Sequence, residues 1–293
     1  MGHENERVRG QYDDSTLVRT LPARSVRFPD GRSLGVIALS DTLDIARPHR
    51  WTDLGAASGV VALPADKAAK LRVGIEPPLD LAPLADLDPQ GLQAIELSGT
   101  DVDDDALTFL RPLTGLYVLD LYYAPITDRA LDSVVYLDQL RDLYLAETRV
   151  ADRGMEALRG LRWLRTLDLT LTGVTDAGVA TISAIGSLHD VGLGWTALTD
   201  VGIQALSRLE NLRYLDLNDT RMTDEGALAL RALTRLRYLN LGGTTLTDAS
   251  LPIVAALPVL RTVNLRRTLV SRNGVEALTS QRPDMVIASS FEP

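Results

Sequence analysis

Residues 164–187 read LRTLDLTLTGVTDAGVATISAIGS, and this 24-residue pattern recurs on both sides of the stretch without a gap or an insertion. The first leucine of each unit lies in one evenly spaced column: Leu92, Leu116, Leu140, Leu164, Leu188, Leu212, Leu236 and Leu260. A fixed period between about 20 and 50 residues indicates a solenoid, because each unit can bury its apolar face only against its neighbours. We therefore predict eight stacked 24-residue units.

Within each unit the apolar spacing predicts a short strand followed by a short helix. With the leading leucine as position 0, apolar residues return at positions 0, 3, 5, 10, 15, 18 and 21. Alternation at positions 3 and 5 is typical of a strand, and three-residue steps from position 15 are typical of a helix with one buried stripe. Position 14 is always small, as at Gly178 and Gly202, which indicates that the helix passes close to its neighbour.

Two polar positions repeat with the leucines. Position 8 is threonine in seven of the eight units, Thr172 among them, and we expect its hydroxyl to bond the backbone of the adjacent coil. Positions 11 and 12 are often Thr-Asp, as at Thr175 and Asp176. This pair predicts a helix N-cap followed by a carboxylate that suits the positive end of the helix dipole.

Units such as 164–179 resemble leucine-rich repeats, and in particular the subtype with Thr-Asp-x-Gly-Leu after the strand. This subtype occurs in ribonuclease-inhibitor-like and F-box-associated proteins and in many bacterial repeat proteins. The resemblance covers roughly two thirds of the chain and departs from many family members at position 8, where they carry Asn or Cys. It implies an α/β fold, namely a right-handed solenoid (horseshoe) with a parallel concave sheet and convex helices. The fold hosts many unrelated partners, so the resemblance specifies no activity.

The pattern divides the chain into four predicted segments. They are a mobile polar segment (1–22), a β-rich N-terminal cap or small domain (23–90), the leucine-rich repeats (91–283), and a C-terminal cap strand with a tail (284–293). In the second segment, strands near 26–28 and 34–39 flank a Pro-Asp-Gly turn, and strands near 60–63 and 71–75 form a second pair. A solenoid needs its terminal core covered, which favours a cap over an independent ligand-binding or catalytic domain.

Composition limits the partners and the compartment. The net charge of −9 and the sequence pI near 4.9 oppose nucleic acid and anionic membranes as partners. The chain has no cysteine, hence no disulfide and no thiol chemistry, and this favours a reducing, cytoplasmic location. No stretch resembles a signal peptide or reaches the length of a membrane span.

The sequence contains no arrangement of residues that predicts catalysis. The three histidines, His3, His49 and His189, lack metal-ligand spacing and a catalytic partner, and the glycine pairs at 192–194 and 242–243 lack the strand-turn-helix context of a phosphate loop. We therefore predict a non-enzymatic protein without metal, cofactor or small-molecule substrate. Catalysis in residues 23–90 remains the weaker alternative.

The informative positions outside the core are 2, 4, 6 and 7, which should face the concave side. They combine carboxylates with aromatic rings, a composition found in protein interfaces. The predicted partner-binding residues are Asp120, Tyr122, Tyr123, Asp142, Tyr144, Glu147, Asp168, Asp190, Trp195, Tyr214, Asp216 and Tyr238. Alternatively, the aspartates only keep an open sheet soluble and pair with the arginine column at position 1. A phosphate site on those arginines is disfavoured by the surrounding acids.

The leading functional hypothesis is a protein-protein interaction scaffold. Its partner would be a protein with basic and apolar groups that bind the acidic, aromatic-lined concave face. The alternative is an inhibitor of an enzyme, or an adaptor that presents a substrate to one. The sequence does not distinguish these roles, because they differ only in what happens to the partner.

Overall fold

The computed structural model describes residues 15–44, 48–74 and 79–291, which form two compact units. The N-terminal unit contains the described residues up to Arg149 together with Gly160–Leu164. The C-terminal unit contains Val150–Arg159 and the described residues from Arg165 onward.

The N-terminal unit begins with irregular elements and continues with repeats. Its elements, in chain order, are α1 (Ser15–Val18), β1 (Arg24–Arg27), β2 (Gly35–Ser40), β3 (Thr52–Ala56), β4 (Val60–Leu63), β5 (Ala68–Val73), β6 (Ala94–Glu96), β7 (Val118–Asp120), α2 (Asp128–Val134) and β8 (Asp142–Tyr144). Short 3-10 helices lie at Pro48–Arg50, Ala82–Asp86 and Ala106–Leu110.

Strand pairing in this unit differs from the sequence prediction. Strand β1 pairs with β4, and β2 lies antiparallel between β3 and β5, so the strands on either side of each predicted turn do not pair with one another. A Cβ on Gly35 would overlap the carbonyl oxygen of Arg72, so glycine permits the close approach of β2 to β5. Strand β5 then runs parallel to β6, and β6, β7 and β8 continue in parallel register.

The C-terminal unit consists of repeats. Its elements are α3 (Asp152–Leu158), β9 (Thr166–Asp168), α4 (Asp176–Ile182), β10 (Asp190–Gly192), α5 (Asp200–Leu206), β11 (Tyr214–Asp216), α6 (Asp224–Ala227), β12 (Tyr238–Asn240), α7 (Leu251–Ala256), β13 (Thr262–Asn264), α8 (Arg272–Gln281) and β14 (Val286–Ala288). Further 3-10 helices span Leu228–Ala232 and Asp248–Ser250. Strands β9 to β14 pair in parallel, each with the next.

The predicted repeat of parallel strand, turn and helix is confirmed. The leucines at positions 0, 3 and 5, such as Leu164, Leu167 and Leu169, are completely buried. Each such side chain contributes about 1.5–3 kcal/mol of burial free energy, which explains why these columns vary so little between repeats.

The threonine column at position 8 does not act as the sequence suggested. The hydroxyl of Thr172 donates to the carbonyl oxygen of Leu169 in its own repeat at 2.6 Å. The same bond recurs at Thr100, Thr148, Thr196, Thr220, Thr244 and Thr268. The predicted bond to the adjacent coil is therefore wrong. The threonine lies three residues after the leucine at position 5, so its hydroxyl can reach the carbonyl oxygen of that leucine within the same turn.

The Thr-Asp pair provides the bond between repeats instead. Asp176 accepts hydrogen bonds from the amide of Thr199 at 2.8 Å, from its hydroxyl at 2.6 Å, and from the amide of Gly202 at 3.0 Å. Thr199 also caps α5 by accepting from the amide of Val201. A Cβ on Gly202 would lie 2.5 Å from Asp176, which accounts for the small residue at position 14. Equivalent bonds join Asp104–Thr127, Asp152–Thr175, Asp200–Thr223, Asp224–Thr247 and Asp248–Ser271.

The predicted mobile segment over residues 1–22 lies partly outside the described residues, which begin at Ser15. Within residues 15–22, α1 forms and Val18 is buried. Leu17, Val18 and Leu21 belong to or pack against an apolar cluster of the unit, and the mobility of the segment stays a prediction.

Candidate protein-binding surface

Side chains at positions 2 and 4 of the repeat strands point away from the leucine core, and we call this surface the strand face. At position 4, the carboxylates of Asp120, Asp168 and Asp216 accept from the amide two residues later at 2.9–3.1 Å. Asn240 and Asn264 make the same bond. This side-chain-to-backbone bond shapes the turn that follows each strand, so the acidic column has a structural role.

Most of the predicted site residues on the strand face are buried. These are Asp120, Asp142, Tyr144, Asp168, Asp190, Tyr214 and Asp216, and Tyr238 is half-buried. In the C-terminal unit the rings of Tyr214 and Tyr238 stack in parallel with their centroids 4.4 Å apart. A partner cannot reach the buried groups in this conformation, so the strand face is not an open acidic strip.

Burial also changes the chemistry of one strand-face carboxylate. Removal from water raises the pKa of Asp216 to about 6, and the nearby charges of Asp168 and Asp219 act in the same direction. Hydrogen bonds from the Asn218 amide and the Asn240 side chain oppose the shift.

Position 7, in the turn after each strand, has a left-handed backbone in both units. The φ angles are between 53° and 71° at Gly99, Tyr123, Glu147, Leu171, Trp195, Asp219, Gly243 and Arg267. We call this column the turn ridge. A left-handed backbone costs a residue other than glycine about 1–2 kcal/mol. The fold itself therefore favours glycine here, and the six larger side chains need another explanation.

In the N-terminal unit the turn ridge presents an exposed aromatic ring. Tyr123 is 63% exposed, and its ring centroid lies 6.3 Å from that of Tyr122. The hydroxyl of Tyr122 donates to Glu147 at 2.7 Å. The structure therefore brings three predicted site residues, Tyr122, Tyr123 and Glu147, into one local group.

In the C-terminal unit the turn ridge combines apolar and charged groups. Trp195 and Leu171 are exposed by 44% and 42%. The guanidinium group of Arg267 lies 5.9 Å from the Trp195 ring centroid, and its Nη2 lies 2.5 Å from a carboxylate oxygen of Asp219. Leu171, Asp219 and Arg267 were not among the predicted site residues. Glycine at the same position of two repeats is the sequence feature that could have revealed the left-handed turn.

A second exposed apolar surface lies on the helix side of the C-terminal unit. It is a shallow groove lined by residues of α5 and of the following helical segment, including Val201, Gln204, Leu228 and Ala229. Val201 and Leu228 are well exposed. Their backbone is ordinary helix, so no strain accompanies this surface.

The histidines and carboxylates give little support for chemistry. Burial lowers the pKa of His189, and the charges of Arg213, Arg165 and Arg235 add to that effect. Its Nδ1 lies 2.7 Å from the carbonyl oxygen of Ser187. Among the described residues, no three histidine, cysteine or acidic side chains are grouped so that they could hold a metal ion. His3 lies outside the described residues.

Family models match two parts of the repeat region. "Leucine Rich repeats (2 copies)" matches residues 210–252, and "Leucine Rich repeat" matches residues 160–183. The matched stretches are leucine-rich repeats. The resemblance inferred from the 24-residue pattern is thus confirmed at the level of the family, while the ribonuclease-inhibitor-like subtype stays a prediction.

Solved structures of internalins from Listeria monocytogenes share the fold of this leucine-rich repeat protein. Internalin C2 aligns with a TM-score of 0.54 at 24% identity, over 69% of this chain and 82% of that one. A second internalin (inlF) aligns with a TM-score of 0.55 at 18% identity, over 73% of this chain and 64% of that one. No curated protein matches the chain. Among the described residues, no helix is long and apolar enough to cross a membrane.

Proposed function

We propose that this leucine-rich repeat protein is a non-enzymatic scaffold that binds a partner protein through the turn ridge of its C-terminal unit, at the edge of the predicted concave face. The observation that carries the proposal is the set of large exposed side chains on a left-handed backbone. Gly99 and Gly243 occupy the same position in other repeats, so the backbone accepts glycine there. Retaining tryptophan, tyrosine and leucine against that preference is best explained by contact with a partner.

The composition of the turn ridge suggests the chemistry of the partner. Leu171 and Trp195 would insert into apolar pockets, as large side chains do at the centre of interfaces. Asp219 and the net charge of −9 would attract basic groups and raise the association rate. The partner would therefore be a protein with an apolar patch bordered by lysine or arginine. A cysteine-free chain suits a reducing compartment, and we place this interaction in the cytoplasm.

The buried strand face would support the ridge rather than contact the partner. The carboxylate of Asp216 holds the turn that leads to Asp219, and the carboxylate of Asp168 holds the turn that leads to Leu171. This assignment revises the predicted roles of Tyr144 and Tyr214, whose buried rings would act through the shape of the surface.

The experiment begins with affinity capture of the partner from a native lysate, followed by measurement of its Kd against purified variants. Leu171→Gly and Trp195→Gly change only the ridge and place at each position a residue that other repeats carry. Val201→Ala and Leu228→Ala, on the helix side, are matched controls of similar exposure. We expect the two ridge variants together to weaken binding at least thirtyfold, which corresponds to about 2 kcal/mol, while the helix-side pair leaves the Kd within a factor of two.

The opposite pattern, with unchanged affinity in the ridge variants and a large loss in the helix-side variants, would move the binding surface to the groove beside α5. Turnover of the captured partner by the purified chain would contradict the non-enzymatic part of the proposal.

A further inference from the structure

The strand face of the N-terminal unit is covered by a second apolar cluster, separate from the leucine core. Ala94, Val118 and Tyr144 lie in this cluster together with Val18 and Trp51. The partly buried side chains of Leu17 and Leu21 pack against it. The segment before β1 therefore belongs to the same apolar cluster as strand-face residues of β6, β7 and β8.

Both sides of β7 are buried in the N-terminal unit. Val118 and Leu119 are adjacent in β7 and point to opposite faces, yet both are completely buried. The core of the repeats covers Leu119. Val118 shares an apolar cluster with Val18 and Trp51, which lie outside the repeats.

The two parts of this cover are attached differently. The Trp51 ring lies 4.9 Å from the ammonium of Lys70, which also forms a 2.8 Å ion pair with Glu96, and the Trp51 Nε1 donates to the carbonyl oxygen of Asp44 at 3.0 Å. Lys70 belongs to β5, so this part is tied into the sheet. In contrast, α1 has four residues, too few to be stable as a helix without its apolar contacts. The segment is also bonded to the turn before β5, where the amide of Asp66 donates to the carbonyl oxygen of Leu21 at 3.0 Å.

We propose that residues 15–22 are a displaceable intramolecular ligand of the strand face over β6–β8. The segment offers Leu17, Val18 and Leu21 as apolar groups, and these suit a face that carries Val118 and Tyr144. The segment is continuous with β1, so its effective concentration at the face is in the millimolar range and weak contacts suffice to hold it. The proposal does not depend on the turn ridge.

The test uses the full chain and the absence of native cysteine, which makes any introduced thiol unique. Val118→Cys reports on the strand face, and Leu119→Cys, on the opposite face of the same strand, is the matched control. The labelling rate of each thiol is measured with and without Val18→Asp, which places a charge under the segment. We expect Val18→Asp to raise labelling of the residue-118 thiol at least tenfold and to leave the residue-119 thiol protected. A synthetic peptide of residues 15–22, added at about the millimolar effective concentration of the tethered segment, should then restore protection at position 118.

Two results would overturn the proposal. If Val18→Asp leaves both thiols protected, the segment is not the cover. If both thiols become reactive, or if the added peptide restores no protection at position 118, the segment is a fixed part of the fold and is not displaceable.

Discussion

Arg267 reaches back to Asp219 although the two residues are 48 positions apart in the chain, and their charged groups meet at 2.5 Å. Gly243 lies at the turn-ridge position of the repeat between them. A Cβ on Gly243 would overlap the carboxylate of Asp219. The missing side chain at position 243 therefore leaves room for the ion pair and for the approach of Arg267 to Trp195.

Gly243→Ala should disturb this arrangement in two ways. A methyl group at φ 71° strains the backbone, and it displaces the Asp219 carboxylate. We expect the free energy of unfolding to fall by about 1–2 kcal/mol in urea titrations, with a change in Trp195 fluorescence. Gly186→Ala is the control, because a Cβ there has open space around it. Equal effects of the two substitutions would show that Gly243 has no special role.

Asp216→Asn should stabilise the protein near neutral pH. The pKa of Asp216 is raised to about 6 in the fold from an ordinary value of 3.8, so between these values the folded state binds more protons than the unfolded state. The contribution of Asp216 to the free energy of unfolding is fully present below pH 4. It is lost as the pH rises through 6, and the total loss is roughly 3 kcal/mol. Asparagine keeps the acceptor for the Asn218 amide and already occupies this position at Asn240 and Asn264.

The measurement is the pH dependence of urea unfolding for wild type and Asp216→Asn. The curves should nearly coincide at pH 4 and separate above pH 6, with the variant more stable. A larger gap at pH 4 than at pH 7 would contradict the assigned direction of the pKa shift.

The fold was more predictable than the site, for a physical reason. Buried leucines repeat because every unit has the same core to fill, so one column such as Leu164 and Leu188 specifies the period and the strand. The strand face has no such rule. Alternation placed Asp120 and Tyr144 on the correct side of their strands, but alternation cannot indicate that Val18, from a distant segment, joins the same apolar cluster as Tyr144. The sequence does not predict the pairing of β2 with β5, because antiparallel contacts between distant segments produce no repeating pattern of residues.

Ala151→Thr should stabilise the C-terminal unit. Ala151 is the N-cap of α3 and provides no side-chain cap, whereas threonine caps α4, α5 and α6 at the equivalent position. A threonine hydroxyl would accept from the amide of Arg153. We expect a gain of about 0.5–1 kcal/mol, measured as an increase in the urea midpoint at constant slope. Ala151→Ser should give a similar gain, and Ala151→Val, which has the same shape without the acceptor, should give none.

Three substitutions in one repeat should separate the contributions to stability. Leu167→Ala should cost about 2–5 kcal/mol, because it leaves a cavity in the core. Asp176→Ala should cost about 2–3 kcal/mol, because it removes the acceptor of three bonds to the next repeat. Thr172→Ala should cost nearer 1 kcal/mol, since its one side-chain bond stays within its own turn. Chemical denaturation ranks the three, and a Thr172 loss equal to that of Leu167 would contradict the ranking.

Trp195→Gly should leave stability almost unchanged, which would be unusual for the loss of a tryptophan. Glycine removes a left-handed strain of about 1–2 kcal/mol. Two effects act against stability. The variant loses the exposed contact between Trp195 and Arg267, and glycine raises the backbone entropy of the unfolded chain; each lowers the free energy of unfolding by about 0.5–1 kcal/mol. These terms nearly cancel, so we expect the free energy of unfolding to change by less than about 1 kcal/mol. Trp51→Ala is the comparison: Trp51 is buried on an ordinary backbone, and its loss should cost about 3–5 kcal/mol. Similar losses for the two variants, measured by urea unfolding, would mean that the Trp195 side chain supports the fold. The ridge would then need no partner to explain it.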